Sequence, residues 1–243
     1  MQAAQAPGQQ HTGRFTVLDD LERYGSTQAI EALRREGAVG LFAHTRPAVD
    51  AFSAALQRAG LDATAHVWDL YHAPLQVALA TVAEVIRAHE PSDTVVEVRE
   101  DWGPDVTQRC QSLMQACGVM PAAQATLRGQ VLPSHLAIAT QASGHLVGVG
   151  SLLWGHCPFG PWHHYAHLGM GSVDLAARGQ SLGKRLAACL IQSTASREAT
   201  AGITAACAGD NLASAHLLRD CGLQRDAQRV CVMFTLDGAR KTR

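Results

Sequence analysis

The sequence lacks a charge excess, a long apolar run and a recognisable leader. Its 20 Lys and Arg residues are balanced by 21 Asp and Glu residues, for a formal net charge of -1, so no bulk attraction to nucleic acid or anionic membranes is expected. No apolar run approaches the roughly 18 residues that span a bilayer. The polar stretch 1–14 has no apolar core of a signal peptide and predicts a disordered tail. We therefore expect a cytoplasmic protein without nucleic-acid or membrane partners.

The chain also lacks the cysteine spacing of a disulfide framework or a zinc site. It has seven cysteines, an odd number, and no Cys-x-x-Cys motif. Most of them lie in apolar periodic segments, which predicts buried free thiols. The loop 154–167 contains several histidines and Cys157, but no pair has a familiar zinc-ligand spacing. We therefore expect no metal, and a zinc-dependent hydrolase is only a weaker alternative.

Strand-like and helix-like patterns alternate along almost the whole chain, which predicts an α/β protein. With 243 residues, of which 47% are hydrophobic, the chain can bury one large core or two small ones. A break at Pro91, Ser92 and Asp93 separates an N-terminal α/β segment, 15–90, from a second series of elements in 91–243. We predict a domain boundary at this break.

The two segments share an internal similarity. A shift of 162 residues aligns AFSAALQRAGL (51–61) with ASAHLLRDCGL (213–223), and the preceding strands GLFAHT and GITAAC fall into register. The similarity indicates either a decayed duplication of the end of the second segment or two Ala-rich strand–helix–strand units that are alike by chance.

The stretch SVDLAARGQSLGKRLAACL (172–190) joins a strand end to an amphipathic helix. It is not a Walker loop, because Gly179 and Gly183 enclose only three residues and no Ser or Thr follows Lys184. A dinucleotide motif is excluded too, since a third glycine at the required spacing is missing. A short pyrophosphate cradle at a helix N-terminus remains, with Arg178 adding positive charge. The alternative is a plain strand-to-helix turn.

The same stretch resembles a known family. VDLAARGQSLGKRL is similar to the acyl-CoA-binding motif of the GCN5-related N-acetyltransferases (GNAT), Gln/Arg-x-x-Gly-x-Gly/Ala, with Arg178 first, Gly183 last and Ser181 where a glycine is usual. NLASAHLLRDCGL (211–223) resembles the late helix of that family. The order of strands and helices from 94 to 236 agrees as well.

The resemblance implies a mixed, mostly antiparallel central sheet flanked by helices, and acetyl-CoA as the acyl donor. The N-terminal segment 15–90 is then a degenerate partial repeat beside the sheet, or it shapes the acceptor site or a dimer contact. The implied cofactor-binding residues are the backbone of Val173 and Leu175, the cradle formed by Arg178, Gly179, Gln180, Ser181, Leu182, Gly183 and Lys184, and Asn211 and Ser214 of the late helix.

The implied reaction is direct attack of an amine on the thioester in a ternary complex. The acceptor is a small-molecule or peptide amine, and a homodimer is left open. His167, on the strand before the cradle, is the candidate catalytic base because a histidine accepts a proton near neutral pH. Leu218 stands where the family often has a proton-donating tyrosine. The alternative function is therefore a catalytically decayed acyl-CoA-binding or protein-interaction module.

Overall fold

A computed structural model describes residues 9–11, 15–88, 93–157, 160–197 and 199–236 of the chain. Its strands are β1 (Gln9–His11), β2 (Thr16–Leu18), β3 (Ala38–Thr45), β4 (Ala63–Pro74), β5 (Thr94–Arg99), β6 (Ser134–Gln141), β7 (Leu146–Leu153), β8 (Tyr165–Val173), β9 (Gly202–Cys207) and β10 (Gln224–Leu236). Its helices are α1 (Leu21–Tyr24), α2 (Ser26–Glu36), α3 (Arg46–Arg58), α4 (Leu75–Ala88), α5 (Pro104–Ala116), α6 (Gln124–Leu127), α7 (Leu182–Ser193) and α8 (Leu212–Asp220), with 3-10 turns at Leu175–Ala177 and Thr194–Ser196.

The described strands form one sheet in the order β1-β2-β3-β10-β4-β9-β8-β7-β6-β5. Its neighbours are antiparallel except for the parallel pairs β2/β3 and β8/β9. This confirms the predicted mixed, mostly antiparallel sheet. β1 lies within the stretch predicted as a tail and pairs with β2, and the rest of that stretch lies outside the described residues. The predicted boundary at Pro91 and Ser92 is also outside them and stays a prediction.

A strand of the N-terminal segment, β4, lies among the strands of the second segment and joins the two. β4 lies between β9 and β10, and it pairs antiparallel with both. β10 in turn lies between β4 and β3. The order β3-β10-β4-β9 is therefore unchanged when the unit β3–α3–β4 is exchanged with the unit β9–α8–β10, as a pseudo-twofold relation between the units requires.

The same relation supports the repeat that the 162-residue shift suggests. α3 and α8 end in the same way, because Gly60 and Gly222 have positive φ angles of 69° and 86°. The amides of Leu61 and Leu223 then bond back to the carbonyls of Leu56 and Leu218, each at 3.0 Å, as in a Schellman cap. The two parallel strand pairs, β2/β3 and β8/β9, also correspond to each other in the two copies of the repeat.

Four hydrophobic clusters form the core of the described residues, and the smallest lies around Phe42, Leu70 and Trp162 with Trp68 packed against it. The largest packs α4, α7 and α8 on the sheet, and the stripe Leu182, Leu186 and Leu190 of α7 is buried there, as expected for residues four apart on a helix. A second cluster packs α2 and α3 on β3 and β10 around the edge-to-face pair Phe52 and Phe234, whose ring centroids are 5.3 Å apart. The third lies under α5 and α6. No helix of the described ranges is long and apolar enough to cross a bilayer.

We expect the fragment 91–243 to be unable to fold alone. Without β4, the facing edges of β9 and β10 lose their common partner, and their backbone groups are left unpaired. Circular dichroism and thermal unfolding of the fragment should show no cooperative transition, and co-expression with 1–90 should restore one. A fragment that unfolds cooperatively near the melting temperature of the full chain would contradict the structural role of β4.

Candidate active site

A gap opens in the sheet between β8 and β9. The two strands pair only from Tyr165 with Gly202 to Leu168 with Ala205, and they diverge beyond these residues. On its other edge β8 pairs with β7 through an irregular register opposite Gly150, where Met170 has a φ of 54°. A bulge of this kind bends a strand. The two glycines that flank Met170, Gly169 and Gly171, suit such a distorted strand.

The gap leads into a cavity of about 490 Å³. This volume lies within the range of small-molecule sites. The β8 segment 169–173 and the β9 segment 205–207 form its edges. Further walls come from α7, α8, the end of α5 and β4, through residues that include Leu186, Leu190, Leu217, Leu218, Cys117, Val119 and Trp68.

The predicted cradle lies at one end of this cavity. Gly179 and Ser181 adopt the left-handed conformation, with φ of 79° and 56°, and α7 begins directly after them. The backbone amides of 180–184 have no hydrogen-bond partner among the described residues, so they and the helix dipole favour an anion. Gly183 lines the cavity, and a Cβ added there would lie 3.2 Å from Leu217 Cδ1. A side chain at this position would therefore require a small shift of Leu217.

The cations of the cradle differ in their surroundings. Arg178 lines the cavity, and its Nε donates a hydrogen bond of 3.1 Å to the carbonyl of Val173. Lys184 does not line the cavity and instead pairs with Asp220, whose pKa it lowers through a hydrogen bond. Arg178 is thus the cation that the described cavity wall offers to an anion.

The remaining predicted cofactor residues are placed as follows. Asp174 N–H bonds to Val147 of β7, so the polar backbone groups of Val173 face the gap. Leu175 is 77% exposed and lies outside the cavity wall. Asn211 caps α8 by accepting a 3.1 Å hydrogen bond from the amide of Ser214, and both residues line the cavity. Gln180 is exposed, whereas Leu182 is buried in the core.

His167 lies one residue behind the cavity wall. Its Nδ1 is 3.2 Å from the hydroxyl of Thr204, and it is not among the residues that line the cavity. Gly169, which does line it, is adjacent to the imidazole, since a Cβ on this glycine would be 3.6 Å from His167 Nε2. A proton could pass between the cavity and His167 through a relay such as a water.

The sequence did not single out the partner of His167. His156 Nε2 lies 3.0 Å from the same Thr204 hydroxyl, and Phe42 of the N-terminal segment packs on both imidazoles at 4.5 and 5.6 Å. Burial lowers the pKa of His156 to about 3, so this imidazole is neutral and cannot act as a base at neutral pH. Among the described residues, no three His, Cys, Asp or Glu side chains are placed to share a metal ion.

The cysteines are free thiols, as predicted. Cys207 lines the cavity, and burial raises the pKa of its thiol to about 11. A thiol with this pKa stays protonated at neutral pH and is a poor nucleophile. Cys207 is therefore a packed thiol rather than a nucleophile.

Comparison with known proteins identifies the family. The model of the acetyltransferase (GNAT) family matches residues 98–223, just over half of the chain. The chain belongs to the GNAT family. Its matched segment contains the gap, the cradle and the late helix, which confirms the resemblance found in the sequence. No curated protein sequence matches this chain.

Solved structures share the fold of this GNAT protein along nearly its whole length. A tandem GNAT protein from the clavulanic acid biosynthesis pathway is 15% identical, with a TM-score of 0.61 over 94% of this chain and 77% of its own. A GCN5-related N-acetyltransferase from Kribbella flavida is 11% identical, with a TM-score of 0.59 over 96% and 91% of the two chains. The first similarity is compatible with a degenerate GNAT repeat in the N-terminal segment. Membership of the family supports acyl transfer as the general chemistry.

We expect the buried imidazole of His156 to make the protein less stable in acid. The folded state keeps His156 neutral down to about pH 3, whereas the unfolded chain protonates it near pH 6.5. Since the unfolded state then binds more protons, the free energy of unfolding falls as the pH drops below about 6.5. Between about pH 7.5 and about pH 5.5 this group contributes a loss of about 1.4 kcal/mol.

Denaturant unfolding at the two pH values measures this loss. The free energy of unfolding of His156→Gln should decrease less between the two pH values than that of the wild type. Because each protein is compared with itself at the two pH values, the loss of contacts caused by the substitution cancels. His163→Gln, at an exposed histidine of the same loop, should behave like the wild type. Equal acid sensitivity of the wild type and His156→Gln would refute the assignment of a neutral, buried imidazole.

Proposed function

We propose that this chain is an N-acetyltransferase that transfers the acetyl group of acetyl-CoA to an amine by direct attack in a ternary complex. One observation carries the proposal. The cavity extends from Arg178 and Gly183 of the cradle, beside the first-turn amides of α7, into the gap between β8 and β9. A pyrophosphate at the amides would therefore place a flexible arm along the free edge of β8, where the polar groups of Val173 face the gap.

The residues of the cavity fit acetyl-CoA. The amides and the dipole of α7 attract the pyrophosphate, and Arg178 adds a positive charge beside it. Asn211 and Ser214 contribute polar atoms from the opposite wall. The rest of the wall is largely apolar, which suits the acyl end of the donor.

The reaction needs few groups from the protein. The amine nitrogen forms a bond to the acetyl carbon, the carbon–sulfur bond breaks, the nitrogen loses one proton and the thiolate gains one. Backbone amides at the bulge around Met170 are candidates to polarise the carbonyl. Leu218 has no hydroxyl to protonate the leaving sulfur, but a thiol with a pKa of about 8.5 can leave as the thiolate and take its proton from water.

His167 is the proposed acceptor of the proton that the nitrogen loses after attack. A water would relay the proton past Gly169, and the contact with Thr204 holds the ring in place. The catalytically decayed alternative, an acyl-CoA-binding or protein-interaction module, is favoured by Leu218 in place of a tyrosine, by Ser181 in place of a glycine and by the possible partial duplication. Turnover of any amine separates the two functions.

We predict that Gly183→Asp weakens acetyl-CoA binding by about 100-fold or more, because it adds a negative charge beside the pyrophosphate. Gly183→Asn is the matched control, since it adds nearly the same volume without the charge. Calorimetric titration of both variants should show clearly weaker binding for Asp than for Asn. Binding by Gly183→Asp as tight as by the wild type would remove the cradle from the cofactor site.

We predict that His167→Ala and His167→Gln lower kcat by about tenfold or more while the Kd of acetyl-CoA changes by less than about twofold. The assay follows the acetylated product with the best acceptor from a panel of primary amines. His163→Ala, at an exposed histidine, should leave both quantities unchanged. An equal loss of kcat and affinity, or no loss, would exclude His167 from proton transfer.

A further inference from the structure

One residue of the N-terminal segment reaches the cavity. Trp68 of β4 lines it, and among the described lining residues it is the only aromatic side chain. The exchange of β4 places it there: Asp69 pairs with Cys207 of β9, and Trp68 pairs with Cys231 of β10. The indole is partly exposed and therefore accessible to a ligand.

The cavity wall contains almost no ionisable side chains. Its described members include Arg178, Cys117 and Cys207, but no carboxylate, imidazole or lysine. The thiol of Cys207 is protonated at neutral pH because burial raises its pKa to about 11. Cys117 donates its own S–H to the carbonyl of Val173 at 3.4 Å. The wall therefore offers neither a counter-ion for an ammonium group nor a base that could deprotonate one.

The nearest ionisable groups have other partners. His167 lies behind Gly169 and is bonded to Thr204. His66, whose ring is 6.2 Å from that of Trp68, is bonded through Nε2 to a threonine hydroxyl of β10. Asp69 pairs with Arg225 at 2.8 Å. The charges of Asp69 and Asp210 reach Cys207 and raise the pKa of its thiol further. Negative charges favour the protonated form of an amine, so neither carboxylate helps an alkylammonium to lose its proton.

From this wall we infer that the acceptor is a weakly basic aromatic amine whose ring stacks on Trp68. An alkylamine with a pKa near that of lysine is neutral in only about one molecule in 2,500 at about pH 7, and no side chain of the described cavity wall shifts this balance toward the neutral amine. An aromatic amine is already neutral at this pH, and its ring matches the flat apolar face of an indole. The inference rests on the proposed acetyl transfer.

The bond changes are those of the proposed reaction. The lone pair of the neutral aromatic nitrogen forms the new bond to the acetyl carbon, and the electron pair of the carbon–sulfur bond goes to sulfur. The nitrogen becomes strongly acidic only after attack. A distant acceptor such as His167 is then sufficient for its proton.

Two isomeric amines test the inference, p-toluidine and benzylamine, because they share their atoms and a ring but differ in basicity. With saturating acetyl-CoA at about pH 7, we expect kcat/KM for p-toluidine to exceed that for benzylamine by about tenfold or more. Between about pH 7 and about pH 9 the rate with p-toluidine should stay nearly constant, whereas any rate with benzylamine should rise about tenfold per unit.

The role of Trp68 is tested in the same assay. Trp68→Ala should raise KM for p-toluidine by about tenfold. Trp68→Phe should have a KM much closer to that of the wild type. The Kd of acetyl-CoA should change by less than about twofold in both variants. Val67→Ala, at the exposed neighbour on the other face of β4, is the matched control and should have no effect.

The outcomes separate the inference from the proposed function. A protein that binds acetyl-CoA but prefers benzylamine, or acetylates neither isomer, overturns the aromatic acceptor and leaves acyl-CoA binding intact. Unchanged kinetics in Trp68→Ala overturn the stacking role. A wild-type protein that does not bind acetyl-CoA overturns both the proposed function and the inference.

Discussion

β4 forms backbone hydrogen bonds to two strands that lie far away from it in the chain. It bonds to β9 on one side, from Asp69 to Pro74, and to β10 on the other. Because sheet edges must be paired or covered, this double pairing fixes where β9 can run and keeps β10 in the sheet. β9 forms one side of the gap, so the geometry of the cavity depends on a strand from outside the segment that the family model matches.

The gap begins where the pairing of β8 with β9 ends. β8 and β9 begin as a parallel pair and then separate, and the register of β8 with β7 is irregular at Met170. On the edge that this frees, the carbonyl of Val173 accepts hydrogen bonds from Arg178 and Cys117, and the other polar backbone groups are available to a ligand. Within the described ranges, the C-terminal unit alone combines such a gap with a cradle suited to an anion. The corresponding turn between β2 and α2 carries Asp19, Asp20 and Glu22, whose charges would repel a pyrophosphate.

Local patterns predicted much of this site. The stripe of α7, the glycine turn and the cap at Asn211 depend on residues close together in the sequence, so they could be read directly from it. The repeated unit was also detectable, because both copies need a glycine at the helix end.

The rest depended on contacts between distant residues. The exchange of β4 brings Trp68 to the cavity, and no local pattern distinguishes this strand from one that pairs only within its own unit. Lys184 is positioned by Asp220, a partner on another helix, and its predicted contribution to the cradle could not take that into account. His156 and His167 meet through Thr204 of β9, which lies outside the loop in which the histidines were noticed.

Calorimetric titration of the full-length protein with acetyl-CoA, with CoA and ATP in parallel, tests acyl-CoA binding most directly. We predict one site per chain for acetyl-CoA and for CoA, with much weaker binding of ATP. A thermal shift is an independent check, because a ligand at 100 times its Kd stabilises the folded state by about 2.7 kcal/mol. Absence of binding by a protein shown to be folded would contradict the assignment of the gap and the cradle to an acyl-CoA site.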